Sequence, residues 1–219
     1  MVRNRSVAVI GLGTFGGTVA SDLAAVGHHV IGIDIDERRV NVFSDDLAQA
    51  VIADARDERS MQDAGVDQCD AVVIAMGEDL EANIVGAMNA RVLGVREVWV
   101  KSRSRTHRRI LSKIGVDHVV NPEQDMGHRV AQTIHNPFVA DYMVAGGGQT
   151  VVSLVAPDKL IGQPLLAIKR LAPNIESLGL LRGSKLHRLA TDPTIEQGDM
   201  LLLIGRRQDL QRFGEAQCT

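Results

Sequence analysis

The chain has 219 residues, of which 45% are apolar, 3% aromatic and 23% charged, with a formal net charge of −3. That length suits one large domain or two small ones around a core of Val, Ile, Leu and Ala, and the charge argues against a nucleic-acid binder. Cys69 and Cys218 form neither a metal-ligand spacing nor a disulfide framework, which fits a reducing, cytoplasmic compartment.

The start "MVRNRSVAVIG" runs straight into an apolar strand without the profile of a signal peptide, and no apolar run approaches the roughly twenty residues of a membrane helix. Direct membrane insertion is therefore not expected. "SVAVIG" reads as the first strand, and a helix is expected from Thr14 to Val26, stopped by Gly27. "HVIGID" is the second strand, after which Asp36 is placed as the N-cap of a helix in "DERRVNVFSDD". "AVIAD" is strand three, "RSMQDAG" a short helix, "AVVIAMG" strand four and "LEANIVGAMNARVLG" a helix. "EVWVK", "RTHRRILSKIG" and "DHVVNP" continue the alternation, and "EQDMGHRVAQTI" adds one more helix. The strands are apolar on both faces, as a parallel sheet covered on both sides requires. A doubly wound α/β domain is expected over residues 1–135.

The pattern then changes. "HNPFVADYMVAGGG", with Pro137 and glycines at 146–148, reads as a linker or crossover over 136–149. Beyond it, strands dominate in "TVVSLVAP", "IESLGLLRG", "KLHRLATDP" and "DMLLLIG", with one helix carrying Pro164 in its first turn and a last short helix in "RRQDLQRFGE". Residues 150–215 are expected to form a small α+β domain.

The chemistry concentrates at "GLGTFG", Gly11 to Gly16, between the first strand and its helix. Gly11 permits the tight turn, Gly13 lets backbone approach a phosphate, and Gly16 lets helix and strand pack closely. The helix start offers unpaired N–H groups and a partial positive charge to an anion. Asp34 ends strand two, 18 positions beyond Gly16, near the spacing of a ribose-binding carboxylate that also disfavours a 2′-phosphate. Asp54 is a candidate for the adenine edge or ribose, with a loop role as its alternative. "AMGED" at the end of strand four places Ala75, Met76 and Gly77 beside the glycine turn, and Glu78 reads as a solvated or capping residue. Lys101 and Arg103 emerge at the same sheet edge, where they can neutralise phosphate. Glu123 sits near a helix start, where its charge is favoured by the dipole. "KSRSRTHRR" is basic but holds no aromatic to stack a base. The seven histidines never fall at metal-ligand spacing, and no acid/base cluster stands out in 150–215.

Taken together, "GLGTFG", "IGIDIDERRV", "VIADARDE", "VVIAMGEDLEANIVGAMNARVLGVREVWVKS" and "KIGVDHVVNPEQDMG" resemble the RCK, or KTN, family, in its cytosolic KtrA/TrkA-type branch that regulates bacterial potassium uptake. The resemblance covers nearly the whole chain. It implies a Rossmann-like RCK_N domain followed by an RCK_C (TrkA-C) domain. It also implies a gating subunit rather than an enzyme: a homo-oligomer, dimeric or an octameric ring, docked on a membrane potassium-translocating subunit and so held at the inner face of the cell membrane. By the resemblance, ATP, ADP, NAD or NADH occupies a pocket formed by Gly11, Leu12, Gly13, Thr14, Phe15, Gly16, Asp34, Ile35, Asp54, Ala55, Ala75, Met76, Gly77, Lys101 and Arg103. Glu123 would lie near the phosphates and take part in binding a divalent cation. Cyclic di-AMP binds the RCK_C domain of some relatives, with Ile168, Asn174 and Pro193 as the matching positions here. One position departs from the pattern: Thr14 stands where the family often carries Arg in the turn. A hydroxyl cannot replace a guanidinium fork on a terminal phosphate, which favours a dinucleotide. The rival readings are an NAD-dependent oxidoreductase, for which the second domain is small, and a nucleotide sensor for another membrane carrier.

Overall fold

The computed structural model describes residues 4–135 and 139–218. The chain divides into two units, 1–124 and 125–219. The first unit carries a parallel sheet of six strands: β1 (Ser6–Ile10), β2 (His29–Asp34), β3 (Gln49–Ile52), β4 (Ala71–Ile74), β5 (Glu97–Lys101) and β6 (His118–Val120). Their order is β3-β2-β1-β4-β5-β6, all neighbours parallel. This is the doubly wound arrangement, and the strand order reverses between β1 and β4.

The connecting helices are α1 (Thr14–Ala25), α2 (Glu37–Val42), α3 (Glu58–Asp63), α4 (Leu80–Val92) and α5 (Arg105–Ile114). Each start has a local cause. Asp36, Asp57 and Asp79 accept backbone N–H groups at the starts of α2, α3 and α4, and Ser104 accepts the His107 N–H at the start of α5. Val26 and then Gly27, at φ +91°, end α1, as its sequence led us to expect. Ile10, Ile33, Ile74, Val98, Val100 and Leu111 are fully buried on one side of the sheet, and Val7, Val9, Leu12 and Val30 close the other. Burying each such side chain stabilises the fold by about 1.5–3 kcal/mol before entropy is counted. Helix α6 (Pro122–His135) follows β6, and Asn121 accepts the Gln124 N–H at its start.

The second unit is an antiparallel sheet in the order β10-β9-β11-β8-β7. Its strands are β7 (Val139–Gly146), β8 (Gln149–Val155), β9 (Ile175–Arg182), β10 (Lys185–Arg188) and β11 (Met200–Arg206), with helices α7 (Ala167–Leu171) and α8 (Arg207–Cys218). Leu154, Leu160, Ile168, Ile175, Leu180, Leu201 and Phe213 form its core. Arg182 grips the buried Asp199 with two N–H groups at 2.8 Å each and reaches Glu196 at 2.5 Å, tying β9 to the turn before β11.

Two expectations are corrected here. Residues Val139–Gly146, expected within a linker, form an edge strand, and Gly147 and Gly148 make a two-residue hairpin with φ +59° and +77°. Residues 136–138 of that linker lie outside the described ones. Pro164, expected in a helical first turn, instead sits in an isolated antiparallel bridge with Thr194, and α7 begins at Ala167. No helix among the described residues is long and apolar enough to cross a membrane.

Candidate functional site

A cleft of about 1190 Å³ opens at the carboxyl ends of β1, β2 and β4, where the strand order reverses. Ligands collect at this place in open α/β sheets. All of its lining belongs to the first unit, and every expected pocket residue but Gly16 lines it directly. Gly16 lies beneath the turn: a Cβ built on it falls 1.8 Å from the Gly11 carbonyl oxygen and 2.8 Å from the Ala75 side chain. Gly11 itself has φ +96°, a backbone that side-chain-bearing residues rarely adopt.

Gly13 differs from both. Its backbone is ordinary (φ −70°, ψ −172°), and a Cβ there would meet only Arg39 Nη1, at 4.0 Å. The fold gives no reason for its missing side chain. It caps α1 without a side-chain hydrogen bond, and the first turn of α1 holds no acid. The positive end of a twelve-residue helix therefore faces the cleft with neither a capping side chain nor an acid in its first turn. Thr14 stands exposed at the first position of α1, and Phe15 is half-buried beside it.

Asp34 is buried and ties the turn to the end of β2. Its Oδ2 accepts the Leu12 N–H at 2.8 Å and its Oδ1 accepts the Asp36 N–H at 2.9 Å. Arg39 Nη1 lies 3.4 Å from the same Oδ2. Sequence reasoning missed Arg39; its only signal was a basic residue on the helix that follows Asp34. The Asp34 carboxylate thus has a cationic side chain beside it. Next to Asp34, Ile35 exposes 63% of its surface, an apolar platform suited to a base.

Asp54 is not free. It follows β3 in a loop, and Arg56 holds it through its backbone N–H at 2.9 Å, Nε at 3.0 Å and Nη2 at 2.6 Å. That guanidinium keeps the carboxyl below the usual carboxylate range. Its loop role is what the geometry displays. Ala55 is buried against α4, and its carbonyl accepts from Asn89. The loop after β4 brings Ala75 under the turn, its N–H donating to the Ile10 carbonyl at 2.7 Å, and sets Met76 against Gly11.

Lys101 lies over Gly77: a Cβ built there comes within 3.3 Å of its Nζ. The ammonium is 5.7 Å from the Phe15 ring centre and 2.5 Å from Glu123 Oε1. Glu123, in the first turn of α6, is held below the usual carboxylate range, chiefly by that bond to Lys101. Arg103 also lines the cleft. Glu123 is the ion-pair partner of Lys101, and among the described residues no three His, Cys, Asp or Glu side chains converge. Ile168, expected at a cyclic di-AMP site, is wholly buried in the second core and offers no surface to a ligand, whereas Asn174 is exposed and Pro193 half-buried.

Beneath the Met76 and Lys101 side of the cleft lies a polar pair that the sequence did not mark. Asn83 and His107 are buried, and His107 Nε2 meets Asn83 Oδ1 at 3.1 Å. Burial holds the His107 imidazole below the usual histidine range. Below about pH 6.5 the unfolded chain takes a proton that the folded one refuses. Stability contributed by His107 is therefore complete above about 6.5 and lost as pH falls through the lowered folded value. The paired carboxylates Asp54, Glu123 and Asp199 add their own loss below about pH 4. Denaturation midpoints measured against pH are expected to fall in these two steps, and His107→Gln should remove only the upper one.

Fold and cleft together define a Rossmann-like domain of the nucleotide-binding type. The chain belongs to the TrkA-N domain family, which matches residues 7–122. It is 37% identical over 212 residues to the Ktr system potassium uptake protein C of Bacillus subtilis, covering 95% of this chain and 96% of that protein. It is 34% identical over 210 residues to the Ktr system potassium uptake protein A of Vibrio alginolyticus, covering 94% and 95%. A solved structure of the GsuK channel bound to NAD matches 95% of this chain and 38% of that one, with a TM-score of 0.64 at 13% identity, a likeness of fold.

Proposed function

We propose that this chain is the nucleotide-binding regulatory subunit of a potassium uptake system. It would act without making or breaking a bond and would assemble as dimers, in an octameric ring, on a membrane potassium-translocating subunit at the inner face of the membrane. Relatives named as Ktr potassium uptake proteins match along nearly their whole length, which supports the system. The observation that carries the ligand is Gly13: small without a packing reason, at an uncapped helix start, with the buried Asp34 across the turn. An adenine nucleotide suits this arrangement. Its base would lie on Ile35, its ribose at Asp34 and its phosphates at the Gly13 turn, with Lys101 beyond. NAD in the GsuK structure supports the same class of ligand. Thr14 offers no charge to a terminal phosphate, so the cationic share falls to Lys101 and Arg103.

A ligand moves a two-state assembly only by binding one state better. Phosphate drawn to Lys101 competes with Glu123, which stands in the first turn of α6, the helix leaving the first unit. Exchange of that ion pair is the step by which occupancy would reach the rest of the subunit. Lys101→Met is expected to weaken ADP about tenfold and to flatten its salt dependence. It should change stability by about 1 kcal/mol or less, because Glu123 is largely exposed. Calorimetry at two salt concentrations checks both. Potassium uptake at low external potassium, in cells dependent on the chain and its membrane subunit, tests the function. Uptake should vanish without the chain and fall with Lys101→Met; uptake indifferent to the chain's presence contradicts the proposal.

A further inference from the structure

We infer that Asn83 and His107 are positioning residues for the phosphate end of the cleft, selecting phosphorylated adenosine over adenosine itself. This rests on the reading that the cleft takes an adenine nucleotide. The β4–β5 ladder pairs Ile74 with Val100 and then stops. Past that point the two chains diverge toward Met76–Gly77 and Lys101, the segments that face the phosphate end. One side-chain amide spans the gap. Asn83 Nδ2 donates to the Met76 carbonyl at 2.6 Å and to the Lys101 carbonyl at 3.1 Å. With both amide hydrogens spent on carbonyls, Asn83 Oδ1 must accept, and His107 Nε2 supplies the proton at 3.1 Å. His107 Nδ1 is then an acceptor and faces the Arg103 N–H at 3.4 Å. The neutral imidazole with its proton on Nε2 satisfies both ends.

The pair's three bonds outward end on backbone of residues that line the cleft, Met76, Lys101 and Arg103, and the fourth joins its two side chains. Burying two polar side chains costs free energy unless every polar atom is paired, so an apolar pair would serve packing as well or better. What the polar pair adds is a fixed separation of the two strand ends. It sets the Gly77 backbone under the Lys101 ammonium and aims Arg103. The ribose end, built on Asp34 and Leu12, has no bond to this pair.

The test uses the full chain with ADP, followed by calorimetry, and adenosine, followed by ligand-observed NMR. Asn83→Ala is expected to weaken ADP about tenfold with adenosine unchanged. His107→Leu should weaken ADP by a smaller factor. His107→Gln keeps an N–H for Asn83 Oδ1 and should bind ADP within about twofold of wild type. Adenosine binding is each variant's control for an intact fold. If Asn83→Ala does not fold, His107→Leu against His107→Gln carries the same contrast. Variants that lose adenosine and ADP in equal proportion, that bind ADP as wild type does, or a glutamine no better than leucine, overturn this inference alone. A wild-type chain that binds neither ligand overturns the nucleotide reading, and this inference with it.

Discussion

Gly16→Ala is expected to destabilise the first unit by about 3–5 kcal/mol and to lower its melting temperature by about 10 °C or more. The added methyl would stand 1.8 Å from the Gly11 carbonyl oxygen, which is backbone and cannot rotate away, and 2.8 Å from the Ala75 side chain. Relief requires α1 to move off β1. That motion would pull Leu12 from Asp34 and break the buried bond that ties the turn to β2. Nucleotide binding would go with it, as a consequence of the fold. A calorimetric melt of the variant decides this, and an unchanged transition would mean that the helix–strand spacing is not what Gly16 protects.

Gly13→Ser is expected to do the opposite. The backbone there already has the extended conformation of an N-cap, and serine is preferred over glycine at that position by a few tenths of a kcal/mol. The melting temperature should hold or rise slightly. Nucleotide affinity should fall about thirtyfold or more, since the new side chain occupies the space reserved for phosphate and its oxygen takes a helix N–H meant for it. Two glycines three residues apart thus separate structure from recognition: one variant loses the fold, the other keeps it and loses the ligand. Retained affinity in a folded Gly13→Ser variant would show that phosphate does not approach the turn.

The sequence made some of this legible and concealed the rest, for definable reasons. The glycine turn, α1 and Asp34 could be found because they are local: a strand, a turn and a helix within a few residues, and an acid at a known spacing. Both sheets follow from composition, the first from strands apolar on both faces, the second from the later run of short strands. The hairpin of β7 and β8 was misread because three successive glycines suit a flexible linker and a tight turn with positive φ equally well, and only strand pairing separates the two. Asp54 lines the cleft as expected, but spacing cannot reveal that Arg56 holds its carboxylate. The Lys101–Glu123 pair was seen as two separate charges, and the Asn83–His107 pair not at all. Both join residues more than twenty positions apart, so their meeting is a property of the β4–β5–β6 packing, and no period or motif announces it.

The central claim is that the Gly13 turn and Asp34 hold an adenine nucleotide. Titration of the wild-type full chain with NAD, NADH, ADP and ATP by calorimetry tests it most directly. Saturable binding well below millimolar, about one nucleotide per chain, is the predicted result for at least one of the four. Flat titrations with all four at millimolar concentration would contradict it.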